Sequence, residues 1–192
     1  EALKAVVDRK VPLVPTFTFQ ANLADFGAAI GSDENLQEVF RAEITESAGT
    51  LRAAFDAGVP LLTGSESGFS LTPYGDWHYR ELQVFVEDLG MTPLQAINSA
   101  TQQGARALKL EGELGCIKPD YLADILVFDG EPETHVTQLG DADRFRHIIK
   151  DGRLVDSSTS LPKEWQLPGW RVSEYSERIL TKELVQSMGL NP

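Results

Sequence analysis

Leu36, Val39, Phe40, Ile44, Ala48, Leu51 and Phe55 recur every three or four positions, the apolar stripe of an amphipathic helix. This spacing predicts a helix over 34–57. Ser32 or Asp33 is placed to cap its first turn, and Gly58 supplies the left-handed residue after its last. The next run, Val59-Pro60-Leu61-Leu62-Thr63-Gly64, is short, apolar and ends in glycine, as a fully buried parallel strand does. An earlier run, Val11-Pro12-Leu13-Val14-Pro15-Thr16, reads the same way and follows a helix end with which the chain opens. Strand, helix and strand in that order make a β/α unit, so 11–16 and 59–64 are expected to be parallel neighbours with the helix crossing between them.

Residues 20–33 and 65–76 read as loops. A second helix carries Tyr79, Leu82, Phe85, Val86 and Leu89 and stops at Gly90. A third starts at Thr92-Pro93-Leu94-Gln95, where Thr92 caps, Pro93 needs no N–H and Gln95 reaches back. Its inward positions are expected to be Ile97, Ala100, Gly104 and Leu108. From 113 the period changes from about 3.6 to 2, and Ala123-Asp124-Ile125-Leu126-Val127-Phe128 reads as a buried strand. A hairpin is expected over 145–155, turning at Asp151-Gly152. Residues 157–170, with Trp165 and Trp170, read as a linker, and Ile179, Leu180, Leu184, Val185 and Met188 predict a closing helix over 173–188.

Composition narrows the partners. A net charge of −12 over 192 residues disfavours a nucleic acid partner, because phosphates are repelled along most of such a surface. Basic residues do not cluster, which also argues against an anionic membrane surface. No apolar run approaches the roughly 20 residues needed to span a bilayer. The single cysteine, Cys116, excludes an internal disulfide and a cysteine zinc cluster; it fits a reducing, cytoplasmic location and reads as core on an apolar strand. The first residues lack a signal peptide's basic start, and the mid-helix opening predicts a segment upstream.

Several segments taken in order resemble one family. Leu13-Val14-Pro15-Thr16, Leu61-Leu62-Thr63-Gly64-Ser65-Glu66-Ser67-Gly68, Tyr74-Gly75-Asp76, Arg80-Glu81-Leu82 and Thr92-Pro93-Leu94-Gln95-Ala96-Ile97 are followed by Leu114-Gly115-Cys116-Ile117-Lys118-Pro119, the 123–130 strand and Lys150-Asp151-Gly152. Their order and spacing resemble the C-terminal portion of metal-dependent amidohydrolases, in the imidazolonepropionase-like and prolidase-like branch. The resemblance implies an α/β fold: residues 1–112 would be the last two strands and helices of a (β/α)8 TIM-like barrel. Residues 113–156 would be part of a small β-sandwich subdomain, and 157–192 a linker and C-terminal helix.

It also implies hydrolysis of a C–N bond in a small amide, cyclic amide or dipeptide-like substrate, with a divalent metal, zinc being the expected ion. Glu66 takes the position of the family's strand-end aspartate, as metal ligand and proton-accepting base. The added methylene moves the carboxylate by about 1 Å, a displacement able to cost on the order of 100-fold in rate. Ser67, Tyr74 and His78 are candidate substrate contacts around the loop 65–76. The family's histidine ligands come from strands that would precede residue 1, and none of His78, His135 and His147 has a metal-binding neighbour. This chain alone is therefore expected to be inactive, and to self-associate or pair with a missing N-terminal part. The competing reading is a non-catalytic, truncated relative serving in binding or assembly. Gly64-Ser65-Glu66-Ser67-Gly68 has the outline of a nucleophile elbow, but its centre is Glu66 rather than serine.

Overall fold

The computed structural model describes residues 1–157 and 178–192. Helix α1 (Ala2–Arg9) ends at Lys10 in a left-handed conformation, and the chain continues into the first extended segment. Leu13 and Leu61 form a parallel bridge: the Leu13 amide donates to the Pro60 carbonyl (3.0 Å) and the Leu62 amide to the Leu13 carbonyl (2.8 Å). The two segments are thus parallel neighbours, as expected, but the ladder is one bridge long. Prolines explain the length. A bridge two residues further on would need an amide from Pro15, and one two residues back would need an amide from Pro60; neither has one.

Residues 20–33 are not a loop. They hold α2 (Thr18–Phe26) and a 3-10 turn, Gly27–Ile30. Thr18, Ala21, Asn22, Leu23, Ala24 and Phe26 of α2 are all buried, so the helix is covered on nearly every side and shows no one-sided stripe in sequence. Helix α3 (Glu34–Asp56) follows, and Asp33 is its cap, accepting from the Asn35 amide at 2.8 Å. Gly58 takes φ +80° after its end.

Helix α4 (His78–Glu87) packs its apolar side into a core of Phe17, Ile44, Leu61, Leu82, Phe85 and Leu89. The capping box at Thr92 opens α5 (Pro93–Ala100). Thr101 then breaks the helix with ψ −89°, and α6 (Gln102–Ala107) resumes on a different register. The inward face is consequently Ala96, Ser99 and Ala105, with Ile97 packed against the main core as expected; Ala100 is exposed and Leu108 is 70% exposed, against expectation.

Period-2 structure begins later than the sequence suggested. Residues 113–122 are turns, and Cys116 lies in no strand; its Sγ is 3.1 Å from Gln102 Nε2. Strand β1 (Ile125–Phe128) pairs antiparallel with β2 (Phe145–Lys150), which turns through left-handed Asp151 and Gly152 into β3 (Arg153–Leu154). Asp124 closes this unit by accepting from the Asp151 amide at 2.8 Å and from Lys150 Nζ at 2.5 Å. The strand is not buried: Leu126 is 58% exposed, because among the described residues no second layer covers the three-stranded sheet. The unit is anchored through Val136, which enters the main core, and Gly140, where a Cβ would lie 2.7 Å from Tyr79 Cε1.

The expected closing helix is short. Helix α7 spans Lys182–Ser187, Met188 is exposed, and 173–177, Trp165 and Trp170 lie outside the described residues. Leu180 and Val185 enter a second core with Leu23, Phe26, Ile30, Leu71, Trp77 and Tyr79. Trp77 is the clamp: its indole N–H donates to the Leu180 carbonyl at 2.8 Å, while the Leu180 amide donates to Ser70 O at 2.7 Å. Trp77→Phe leaves that carbonyl unsatisfied in a space too large for the ring, and is expected to cost about 2 kcal/mol in urea denaturation. A loss below about 0.5 kcal/mol would show that the C-terminal segment is not held by this bond. Among the described residues no helix is long and apolar enough to cross a membrane.

Candidate functional site

The segment Val59–Thr63 buries Val59, Leu61 and Leu62 and then emerges at Gly64. Glu66 stands just beyond, exposed, with a left-handed backbone (φ 48°). A hairpin-like turn follows. The Gly68 amide donates to Thr72 O at 2.9 Å, and Thr72 Oγ1 donates to Glu66 O at 2.7 Å. The loop's base is fixed, since Ser70, Leu71 and Thr72 are buried and Asn22 Nδ2 donates to Leu71 O at 2.7 Å. Its tip, with Glu66, faces solvent.

Two of the candidate substrate contacts share that tip. Ser67 Oγ lies 2.8 Å from Ser65 Oγ. Tyr74 is 79% exposed, and its hydroxyl is 3.1 Å from where a Cβ on Gly68 would stand, so the ring folds back over the turn. His78 is apart. It is the exposed first residue of α4 with Asp76 as its charged neighbour, and among the described residues no hydrogen bond or ion pair joins it to Glu66. Burial pushes the Asp76 carboxyl up, opposed by the Lys182 amide and charge.

Among the described residues no group of three or more His, Cys, Asp or Glu side chains is placed to hold a metal. One carboxylate does not fit a catalytic zinc, which ordinarily takes three protein ligands.

Behind the loop lie charged residues whose roles the hydrophobic pattern does not disclose. Arg80, 5% exposed, ion-pairs with Asp25 and donates to Asn22 Oδ1 (3.2 Å) and Gln83 Oε1 (2.8 Å), its guanidinium 5.3 Å from the Phe26 ring centre. Glu81 is fully buried. Its Oε2 accepts from the Thr18 amide (2.9 Å) and hydroxyl (3.0 Å), while Oε1 makes no hydrogen bond among the described residues. Burial raises its pKa to about 7, and the Thr18 bonds, with weaker help from the Thr16 and Phe17 amides, oppose the shift. In sequence only their occurrence in Arg80-Glu81-Leu82, among the segments that resemble the family, singled them out.

The chain belongs to the amidohydrolase family, whose model matches residues 20–155. It is similar to the imidazolonepropionase of Rhodococcus jostii (strain RHA1), 35% identical over 107 residues, covering 56% of this chain and 26% of that protein. It is also similar to the ochratoxinase of Aspergillus niger, 30% identical over 104 residues, covering 54% of this chain and 21% of that one. Among solved structures, a Xaa-Pro dipeptidase with methionine in its active site superposes with a TM-score of 0.65 and 27% identity, covering 80% of this chain and 36% of that one. The matches thus span about a quarter or less of the curated relatives' length and about a third of the dipeptidase.

Proposed function

We propose that this chain is the C-terminal portion of a metal-dependent hydrolase acting on C–N bonds. Its substrate would be a small amide, cyclic amide or dipeptide-like molecule. Residues 1–112 would contribute the last two β/α units of a (β/α)8 barrel, 113–156 part of a β-sandwich subdomain, and 157–192 the linker and closing helix. The observation that carries this reading is the position of Glu66. It follows a segment paired in parallel with Leu13, and barrel active sites form at the C-terminal ends of such strands. The relatives' names support the bond type: imidazolonepropionase, ochratoxinase and Xaa-Pro dipeptidase.

In this reading Glu66 contributes one carboxylate as ligand and base, the remaining donors for zinc come from outside this chain, and Ser67 and Tyr74 line the substrate side. His78 is the weakest candidate, since among the described residues no hydrogen bond or ion pair joins it to the loop tip. Exposed Val14, Leu94 and Leu126 would be covered by the rest of the protein or by a second copy. A second reading, a non-catalytic module for binding or assembly, is favoured by Glu66 standing alone among the described residues.

The test is to express the chain together with whatever the gene encodes immediately upstream of Glu1 and assay dipeptides and cyclic amides with added zinc. Turnover is expected, and Glu66→Ala is expected to abolish it with the fold intact, because the variant lacks the proposed ligand and base. Full turnover in Glu66→Ala would make Glu66 an ordinary strand-end carboxylate, and absence of turnover in the parent would favour the non-catalytic module.

A further inference from the structure

We infer that Glu81 is a positioning residue for the strand end that carries Glu66, acting through Thr18 and Gly64. The inference rests on the reading of Glu66 as a site residue and adds what holds it in place. Two residues beyond the paired segments have left-handed backbones without being glycine, Thr16 (φ 61°) and Glu66 (φ 48°). For a β-branched residue such as Thr16 this conformation is an outlier, and it persists only where the surroundings enforce it. The facing strand end supplies that constraint. A Cβ on Gly64 would lie 2.6 Å from Val14 Cγ1 and 2.8 Å from Thr16 Oγ1, so the two strand ends approach more closely than any side chain at 64 permits.

Next in the chain, Thr18 is held by both of its donors to Glu81 Oε2, and its hydroxyl oxygen is 3.4 Å from Gly64 O. Glu81 therefore ties α4 to the turn Thr16–Thr18, and that turn abuts the residue from which the Glu66 loop departs. A simpler role is available: α2 has no side-chain cap of its own, and Glu81 occupies the place of one. The two roles separate experimentally. A cap affects α2 alone, whereas a positioning residue also moves Gly64–Glu66.

The experiment uses the 192-residue chain, isotope-labelled, with amide exchange and backbone resonances read residue by residue. In Glu81→Leu the Thr18 amide is expected to exchange about tenfold faster or more, the loss of one buried hydrogen bond. The resonances of Gly64, Ser65 and Glu66 should move with it, while the distant Asp151–Gly152 turn stays in place. Glu81→Gln keeps an acceptor of the same shape and should restore the Glu66 resonances. Thr18→Val removes only the hydroxyl, so it should displace residues 64–66 while the Thr18 amide, still bonded to Glu81, keeps its protection. This last variant decides the matter if Glu81→Leu fails to fold. Movement confined to α2, or a glutamine variant that behaves like leucine, would overturn the inference. No turnover is measured, so failure of the hydrolase reading leaves these outcomes unaffected.

Discussion

Arg80→Ala is expected to destabilise the chain by about 3 kcal/mol, because it leaves a carboxylate and an amide oxygen without their shared donor inside the fold. The Arg80 side chain is 6% exposed and bridges α4 to α2 through Asp25 and Asn22. Desolvating a guanidinium is costly in itself, so the pair adds little compared with an apolar contact of equal size. Removing Arg80 is another matter, since the fully buried Asn22 loses the donor to its Oδ1 and Asp25 is left with Arg41 alone. The figure sits at the low end of the range for buried pairs because the Asp25 side chain keeps 34% exposure and a second cation, Arg41, at 2.9 Å. Arg41 supplies the control. Its side chain is 61% exposed, and Arg41→Ala should cost less than about 1 kcal/mol. Urea denaturation of both variants at neutral pH compares them directly. Equal losses would mean that the Arg80 network does not hold α2 against α4.

The chain is also expected to lose about 3 kcal/mol of stability between roughly pH 4.5 and pH 7 through Glu81 alone. The sign follows from the direction of the shift. Burial raises the folded-state pKa from 4.5 to about 7, so in this window the native state binds the proton that the unfolded state has released. Raising the pH therefore favours unfolding. The contribution is complete below about pH 4.5, where both states are protonated, and gone above about pH 7, where the buried carboxylate is charged. Glu81→Gln has no charge to bury. The difference in unfolding free energy between pH 5 and pH 8 should be about 3 kcal/mol smaller in the glutamine variant than in the parent. An unchanged difference would mean that Glu81 titrates as an ordinary carboxylate and that water reaches it. The same ionisation bears on the proposed site, since the group that charges near neutrality is the one tied to Thr18.

Where a hydrophobic stripe was regular, the elements were legible. Helix α3 begins after Asp33 and ends before Gly58 because a one-sided apolar face needs only one neighbour to bury it, and its ends carry their own caps. The Thr92 capping box and the Asp151-Gly152 turn were legible for the same reason: the chemistry is local to a few residues. Helix α2 was not. Its buried residues face several neighbours at once, and its buried polar members, Thr18 and Asn22, look like loop residues until Glu81, Arg80 and Leu71 meet them from 49 or more positions away.

The candidate site divides along the same line. The amino-acid sequence by itself determined the strand–helix–strand order, the family, and Glu66 as the carboxylate following the second apolar run. All of these depend on residue type and spacing along the chain. Only the tertiary structure decided that prolines limit the parallel ladder to one bridge and that His78, the exposed first residue of α4, has no hydrogen bond or ion pair to Glu66 among the described residues. It alone showed that β1 lies exposed and that a buried glutamate stands behind the Glu66 loop. Burial and pairing of a charged side chain are set by what lies across from it in space. Arg80 and Glu81, adjacent in sequence, find partners on α2 and at its start that no local pattern connects to them.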